Sequence, residues 1–288
     1  MNQREIAQTM LNRCRRWASG LITPLCSVCS RPHGRPRAIC TDCEASLLEN
    51  RYACRRCAVP LGEPPSPGSS QSRYLSIRQV PNSVSVRTAI SGDTLVCRDC
   101  LQRPPTFKSV LAPYLMTGPL QDLIHLWKFH NHPQLTSLLA ELFHRQLIAR
   151  SLTNRPDLII PVPTHWRRRL RRGFDHTWLL ANAIACLYGR NLARAHWPVK
   201  TGLRIVRYLP AQRGLDRNER AANRAASYIG NTYLTGKQIV LVDDVMTTGA
   251  TLEAAAAACS EAGASAVRCW CLARTPPPRC RDRVTLPL

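Results

Sequence analysis

Asp243 and Asp244 stand side by side at the end of an apolar run, Ile239-Val240-Leu241-Val242, and a stretch with almost no bulk follows, Thr247-Thr248-Gly249-Ala250-Thr251. The apolar run reads as a buried strand, and the small residues lead into a helix beginning near Leu252. In open parallel sheets, ligands sit beyond the carboxyl ends of the strands, in the crevice formed by the loops there. Backbone N–H groups of the small-residue loop and of the helix start converge at that place and make an anion cradle. Small side chains let the backbone approach a phosphate closely, and the threonine hydroxyls add donors. Two carboxylates would repel the phosphate itself, so sugar hydroxyls, with or without a divalent cation, are their natural partners. A ribose 5-phosphate satisfies both demands. A Walker-type acid pair is the competing reading, but the chain has no Gly-x-x-x-x-Gly-Lys-Ser/Thr to supply its phosphate loop.

Cysteine supplies a second chemistry. Four Cys-x-x-Cys pairs follow one another: Cys26/Cys29, Cys40/Cys43, Cys54/Cys57 and Cys97/Cys100. Such a turn lets two thiolates converge on one ion, and two turns complete the tetrahedral shell that Zn²⁺ prefers, so four pairs make up to two structural zinc sites. Consecutive, alternate and crossed pairing all remain open. For a module this small the ion, more than an oily core, carries the folding free energy, on the order of 10 kcal/mol per structural site. Cys186, Cys259, Cys269 and Cys271 fall in helix or strand patterns and read as core. The histidines show no His-Glu-x-x-His spacing, so a catalytic metal site is not indicated.

The elements that must position these groups follow from periodicity. "GPLQDLIHLWKFHNHPQLTSLLAELFHRQLIAR" gives two helices broken near His132 and Pro133, and "DLIIPVP" is a short buried strand. "FDHTWLLANAIACLYG" is a helix stopped by Gly189, "QIVLVDD" a strand, "TLEAAAAACSEAGA" a helix ended at Gly263, and "AVRCWCLAR" a further strand. Strand, helix, strand at this spacing means parallel strands joined by crossovers, an α/β domain. The chain divides into a basic amphipathic N-terminal helix over 1–25, a cysteine-rich double zinc-finger module over 26–103 and the α/β domain over 104–288. Within the module, 58–96 is rich in Pro, Ser and Gly and reads as a disordered insertion.

Charge and hydropathy narrow the setting. Forty Lys and Arg against 18 Asp and Glu leave +22, which favours polyanionic partners: nucleic acid, nucleotides, phosphorylated sugars or an anionic surface. No apolar stretch reaches the roughly 18 residues of a membrane-spanning helix. The N-terminus lacks the charged-then-apolar order of a secretory signal, and a cytoplasmic location is expected.

"VLVDDVMTTGAT" resembles the phosphoribosyl pyrophosphate (PRPP) signature of type I phosphoribosyltransferases. With the cysteine pairs before it, "PVPTHWRRRLRRGFDHTWLLA" and "LPAQRGLDRNERAANRAASY", it is similar in order to the ComF family of competence and DNA-utilisation proteins, the GntX-like branch included. The resemblance covers nearly the whole chain and implies a type I phosphoribosyltransferase-like parallel sheet flanked by helices, preceded by the zinc module. It implies that Asp243 and Asp244 hold the ribose hydroxyls, that Thr247, Thr248, Gly249, Ala250 and Thr251 hold the 5-phosphate, and that Mg²⁺ accompanies PRPP. Lys128 in "WKF" resembles the family's Lys-Phe element, although the packing of Trp127 and Phe129 accounts for that stretch. Gln212, Arg220 and Asn223 fall where the family has a mobile region near the site. The chain departs from the family at Asp175-His176, where Asn-Gln is usual, and in the length of the insertion.

Arg167, Arg168, Arg169, Arg171 and Arg172 follow the "IIPVP" strand at the edge where the phosphate cradle should lie. The resemblance implies that the loop after this strand handles pyrophosphate, which makes Arg167, Arg168 and Arg172 its expected partners; a solvated basic surface is the competing reading, and arginines not engaged with the ligand suit nucleic-acid phosphates. The resemblance implies a protein that binds PRPP or a related ribose 5-phosphate and works in uptake or utilisation of single-stranded DNA, beside a DNA-translocating ATPase. The alternative is a salvage phosphoribosyltransferase joining a base to PRPP, for which no segment reads as a base pocket. A third reading keeps the fold as a ligand sensor without catalysis.

Overall fold

The computed structural model describes residues 24–35, 37–61, 95–130, 132–150, 155–164, 169–170, 173–191, 197–206 and 228–277. The expected N-terminal helix lies outside them but for 24 and 25, as do 62–94 of the insertion and Gln212, Arg220 and Asn223. The centre is a parallel sheet whose order is β1 (Val110–Leu111), β7 (Ala266–Arg274), β6 (Gln238–Met246), β3 (Leu158–Pro161), with β2 (Tyr114–Leu115) also paired to β7. Strand β6 runs beside β3 with Leu241 opposite Ile160, and beside β7 with Val242 opposite Trp270 and Met246 opposite Arg274. Its continuous apolar run is what a strand covered on both faces requires. Val199 extends the β3 edge by one parallel bridge to Ile159.

Successive strand residues point to opposite faces, so β6 feeds two cores. Val240 and Val242 join Leu123, Trp127, Leu139, Phe143, Leu180 and Ile184 under helices α3 (Gly118–Phe129), α4 (Leu135–Ala149) and α5 (His176–Asn191). Ile239 and Leu241 join Leu252, Ala255, Ala256 and Cys259 of α6 (Ala250–Glu261) on the other face. Helices α3 and α4 break around Pro133 as expected, and α6 stops before Gly263, whose φ of 85° only glycine adopts cheaply. Helix α5 departs from expectation by running through Gly189 to Asn191. A glycine costs a helix interior about 1 kcal/mol, which the packing of Leu180, Ala181, Ile184 and Ala185 exceeds. Antiparallel strands β4 (Leu203–Ile205) and β5 (Tyr228–Gly230) form a separate pair.

The cysteine-rich module is built twice on one plan. A first turn holds Cys26 and Cys29 and closes with Ser30 N–H donating to Cys26 C=O, and a second holds Cys54 and Cys57 and closes with Ala58 N–H donating to Cys54 C=O. Ser30 and Ala58, each directly after a cysteine, take positive φ of 58° and 53°. Each half then presents a short helix, α1 (Thr41–Ala45) or α2 (Arg98–Gln102), whose N-cap is the third cysteine, Cys40 or Cys97. Between the halves the chain covers the sheet edge where Pro113 interrupts it: Asn50 N–H donates to Pro113 C=O and Leu115 N–H to Leu48 C=O. Proline has no N–H for the ladder, and the module occupies the gap that results.

Candidate functional site

The two acids occupy the carboxyl edge of β6 and face opposite ways. Asp244 lies on the α3 and α5 side and is 7% exposed. Its Oδ2 accepts from Lys128 Nζ at 2.8 Å and from His176 Nε2 at 2.6 Å, and its Oδ1 accepts from Val245 N–H at 2.5 Å. Burial alone would raise its pKa, but the Lys128 charge and the His176 hydrogen bond outweigh it and hold the carboxyl well below the usual range. Asp243 is half-buried on the α6 side, and its Oδ1 accepts from Asp244 N–H at 2.8 Å. Burial first, and then the Asp243 charge, push the neighbouring Cys269 and Cys271 thiols well above their ordinary value.

Helix packing sets the Asp244 partners in place. Trp127 is fully buried, donates from Nε1 to Thr136 Oγ1 at 2.9 Å, and meets the His176 ring edge-on at 5.4 Å between centroids. Lys128 follows it on α3 and therefore reaches the edge of β6. Asp175 opens α5: its carbonyl accepts from Leu179 N–H, and its Oδ1 accepts from Trp178 N–H at 3.2 Å and from the Thr177 hydroxyl at 3.0 Å. An asparagine caps a helix in the same way, so the change to Asp175 keeps the local fold. His176, in place of glutamine, still offers a donor to Asp244.

The loop after β6 has the form of a cradle. Thr247 and Thr248 are exposed, and Ala250 N–H donates to Thr248 Oγ1 at 3.4 Å. Gly249 is the N-cap of α6 at φ 85°, and a Cβ there would lie 2.5 Å from Met246 Cε. Lacking a side chain, Gly249 cannot cap the helix; Thr248 Oγ1 takes the Ala250 N–H, and the other first-turn N–H groups face the place where an anion would sit. Glu253, in the same turn, is turned aside: its Oε1 accepts from Thr106 N–H at 2.9 Å and from the Thr106 hydroxyl at 2.5 Å. Beneath the loop, Arg274 Nη1 donates to Met246 C=O and to Thr247 C=O.

Arg167, Arg168, Arg171 and Arg172 lie outside the described residues, whereas Arg169 is described and exposed. Sequence reasoning reads Lys128 chiefly as packing, meets His176 only as a departure, and passes over Arg274. A signal exists for each. Lysine in a helix turn with tryptophan and histidine beside a capping Asp are costly neighbours for a core, and an arginine closing an apolar strand shares the edge of the two acids.

The cysteines resolve into two tetrads, Cys26/Cys29/Cys40/Cys43 and Cys54/Cys57/Cys97/Cys100, each with its four sulfurs within 4.8 Å of one another. Pairing is consecutive along the chain. Sulfur separations of 3.8 Å for Cys29 to Cys40 and 3.6 Å for Cys57 to Cys97 match the edge of a tetrahedron with Zn–S bonds of about 2.3 Å. Backbone donors prepare the thiolates: Val28 and Cys40 N–H point at Cys26 Sγ, and Cys97 N–H at Cys54 Sγ. Burial raises Cys26, but the N–H groups outweigh it and bring its pKa down to about 6. Both tetrads fit structural zinc. Cys259, Cys269 and Cys271 are buried in the core as expected, and Cys186 is partly exposed.

Residues 199–284 match the phosphoribosyl transferase domain family. With the parallel sheet, the acid pair at its carboxyl edge and the glycine-capped helix, this defines a protein of the phosphoribosyltransferase fold class with a cysteine-tetrad module before it. The chain is 30% identical over 255 residues to the DNA utilization protein YhgH of Salmonella typhi, covering 87% of this chain and 97% of that relative. It therefore belongs to the ComF family of competence and DNA-utilisation proteins. Competence protein F of Haemophilus influenzae is 29% identical over 185 residues, 62% of this chain and 78% of that one. The fold is also similar to glutamine PRPP amidotransferase from B. subtilis at 18% identity and a TM-score of 0.34, covering 51% of this chain and spanning 30% of that enzyme's length.

Proposed function

We propose that the chain binds PRPP or a related ribose 5-phosphate at the carboxyl edge of β6 and acts in the utilisation of single-stranded DNA. The observation that carries this is the juxtaposition of Asp243 and Asp244 with the helix N-terminus that Gly249 leaves uncapped. The 5-phosphate takes the N–H groups from Thr247 to Thr251, that of Ala250 in exchange for its long bond to Thr248 Oγ1. Asp243 and the remaining Oδ1 lone pair of Asp244 take ribose hydroxyls. Lys128 and His176 hold Asp244 ionised, so it accepts hydrogen bonds without first losing a proton. Mg²⁺ would neutralise the diphosphate of PRPP while keeping most of its waters. Asp244, with three protein donors already on its oxygens, is not placed to ligate it.

The DNA side of the reading draws on the net charge of +22 and on the names of the relatives, which speak of DNA utilization and competence. Calorimetry with PRPP and Mg²⁺ tests the ligand. Micromolar binding is expected, lost in the Asp243→Ala/Asp244→Ala double variant while metal analysis still finds two zinc per chain. Equal affinity in parent and variant would remove the ribose role. A pyrophosphate-release screen over free bases then separates a binding protein from a transferase.

A further inference from the structure

Arg274 closes strand β7 and is 8% exposed, yet this cation donates its hydrogen bonds to backbone carbonyls. Nη1 donates to Met246 C=O at 3.0 Å, to Thr275 C=O at 2.9 Å and to Thr247 C=O, while Nε donates to Cys57 C=O at 3.1 Å. One planar guanidinium thus ties the first residue of the candidate phosphate loop to the turn that carries Cys57. That turn belongs to the second tetrad, and its geometry is set there: Cys57 is followed by Ala58 at φ 53°, and Ala58 N–H donates to Cys54 C=O. Burial lowers the Arg274 pKa, and the nearby Cys57, Cys271, Cys97 and Cys100 oppose that without reversing it; zinc held by four thiolates would set two net negative charges on the same side. The first tetrad is anchored elsewhere. Arg37 meets Glu141 of α4 at 2.6 Å, and Glu44 of α1 pairs with Arg145 of α4.

We propose that Arg274 is a positioning residue that sets the phosphate loop by holding it to the second cysteine turn, so that zinc at Cys54, Cys57, Cys97 and Cys100 governs how tightly a 5-phosphate is held. Zinc at the first tetrad does not. The affinity part rests on the phosphate-loop reading above; the mechanical link between metal turn and loop does not. Lysine keeps the charge of arginine but is a single ammonium, unable to reach Cys57 C=O and the loop carbonyls together.

The test uses the full chain with both zinc sites loaded and two readouts: hydrogen–deuterium exchange of the Met246–Thr251 amides, and calorimetric affinity for PRPP. Arg274→Lys is expected to retain two zinc, to speed exchange in that loop and to weaken PRPP about tenfold. Cys97→Ser/Cys100→Ser is expected to lose the second zinc while speeding loop exchange and weakening PRPP to the same degree, and Cys40→Ser/Cys43→Ser to lose the first zinc and leave the loop unmoved. Adding Arg274→Lys to the second-tetrad variant should cost little more, because both changes break one link. Unchanged loop exchange in Arg274→Lys, which leaves every zinc ligand in place and so stands even if a cysteine variant does not fold, would overturn the proposal. So would equal loosening by the first-tetrad variant, or full additivity. Loop exchange that follows Arg274 in a parent that binds no PRPP supports the link and sinks the phosphate reading alone.

Discussion

At the scale of single residues, Asp243 and Asp244 are neighbours with different surroundings. Asp244 is enclosed, and its charge is matched by Lys128 and a hydrogen bond from His176. Its folded pKa is depressed, so its stabilisation is present above the unfolded carboxylate value of about 3.9 and is lost as pH falls below it. Lys128→Met should cost about 3–5 kcal/mol at neutral pH, the usual penalty for stripping a buried charge of its partner. It should also flatten the acid limb of thermal stability, and a melting series from pH 7 to pH 2 reads both. An acid limb unchanged from the parent would show that Asp244 is not the group titrating. His176→Gln keeps a donor for Oδ2 and should stay within about 1 kcal/mol of the parent, whereas His176→Leu leaves a charged acceptor short and should lose about 1–3 kcal/mol. Denaturant unfolding of the two variants side by side would expose the idea as wrong if they fell equally.

At the scale of elements, the junction of β6 and α6 is the critical turn. Gly249 sits in the left-handed region with Met246 Cε 2.5 Å from where a Cβ would stand. Gly249→Ala should cost about 1–2 kcal/mol in backbone conformation, the flexible methionine tip giving way to the methyl group. The same change moves the first-turn N–H groups, so PRPP affinity should fall by more than the stability loss accounts for. Melting and calorimetry on one sample decide it, and full affinity in a destabilised variant would detach the turn from the ligand. Most of these elements are legible in the sequence. The run from Ile239 to Val242 is apolar at every position, as a strand covered on both faces must be, and the unbroken alanine run from 254 to 258 is strongly helix-forming. The end of helix α5 is not, because a single glycine such as Gly189 is a weak stop when the turns before it are packed.

At the scale of the whole molecule, the cysteine-rich module is joined to the α/β domain at several places, two of them centred on a single charged residue. Glu44 of α1 is the hub of one: Arg35 at 2.5 Å and Arg37 at 3.5 Å converge on it with Arg145. Burial would raise its pKa, but those arginines lower it. Arg274 is the hub of the other. Outside both lies the excess of positive charge, whose effect belongs to the molecule and not to any one residue pair. Binding of single-stranded DNA should weaken steeply with salt, and replacing Arg169 and Arg171, the clustered arginines not assigned to the diphosphate, should flatten the log–log slope by about 1.4, near 0.7 for each phosphate no longer neutralised. Fluorescence anisotropy across a salt titration measures it, and a salt-independent parent would end the DNA reading.

Taken alone, the chain already carried the chemistry of near neighbours: paired acids ending a strand, small residues before a helix, and cysteines separated by two residues. Those patterns depend on backbone periodicity and on side chains within a turn or two, which is why they are readable without coordinates. The fold had to decide which groups meet across long stretches of chain. It joined the Cys-x-x-Cys pairs consecutively, turned adjacent carboxylates to opposite faces of one sheet, and brought Lys128 and His176 onto the same oxygen of Asp244. It also set Arg274 against Cys57, residues far apart in the chain and linked by one hydrogen bond. Such meetings are fixed by how β7, β6 and the metal turns stack, and that packing is a property of the assembled layers, which no local pattern encodes.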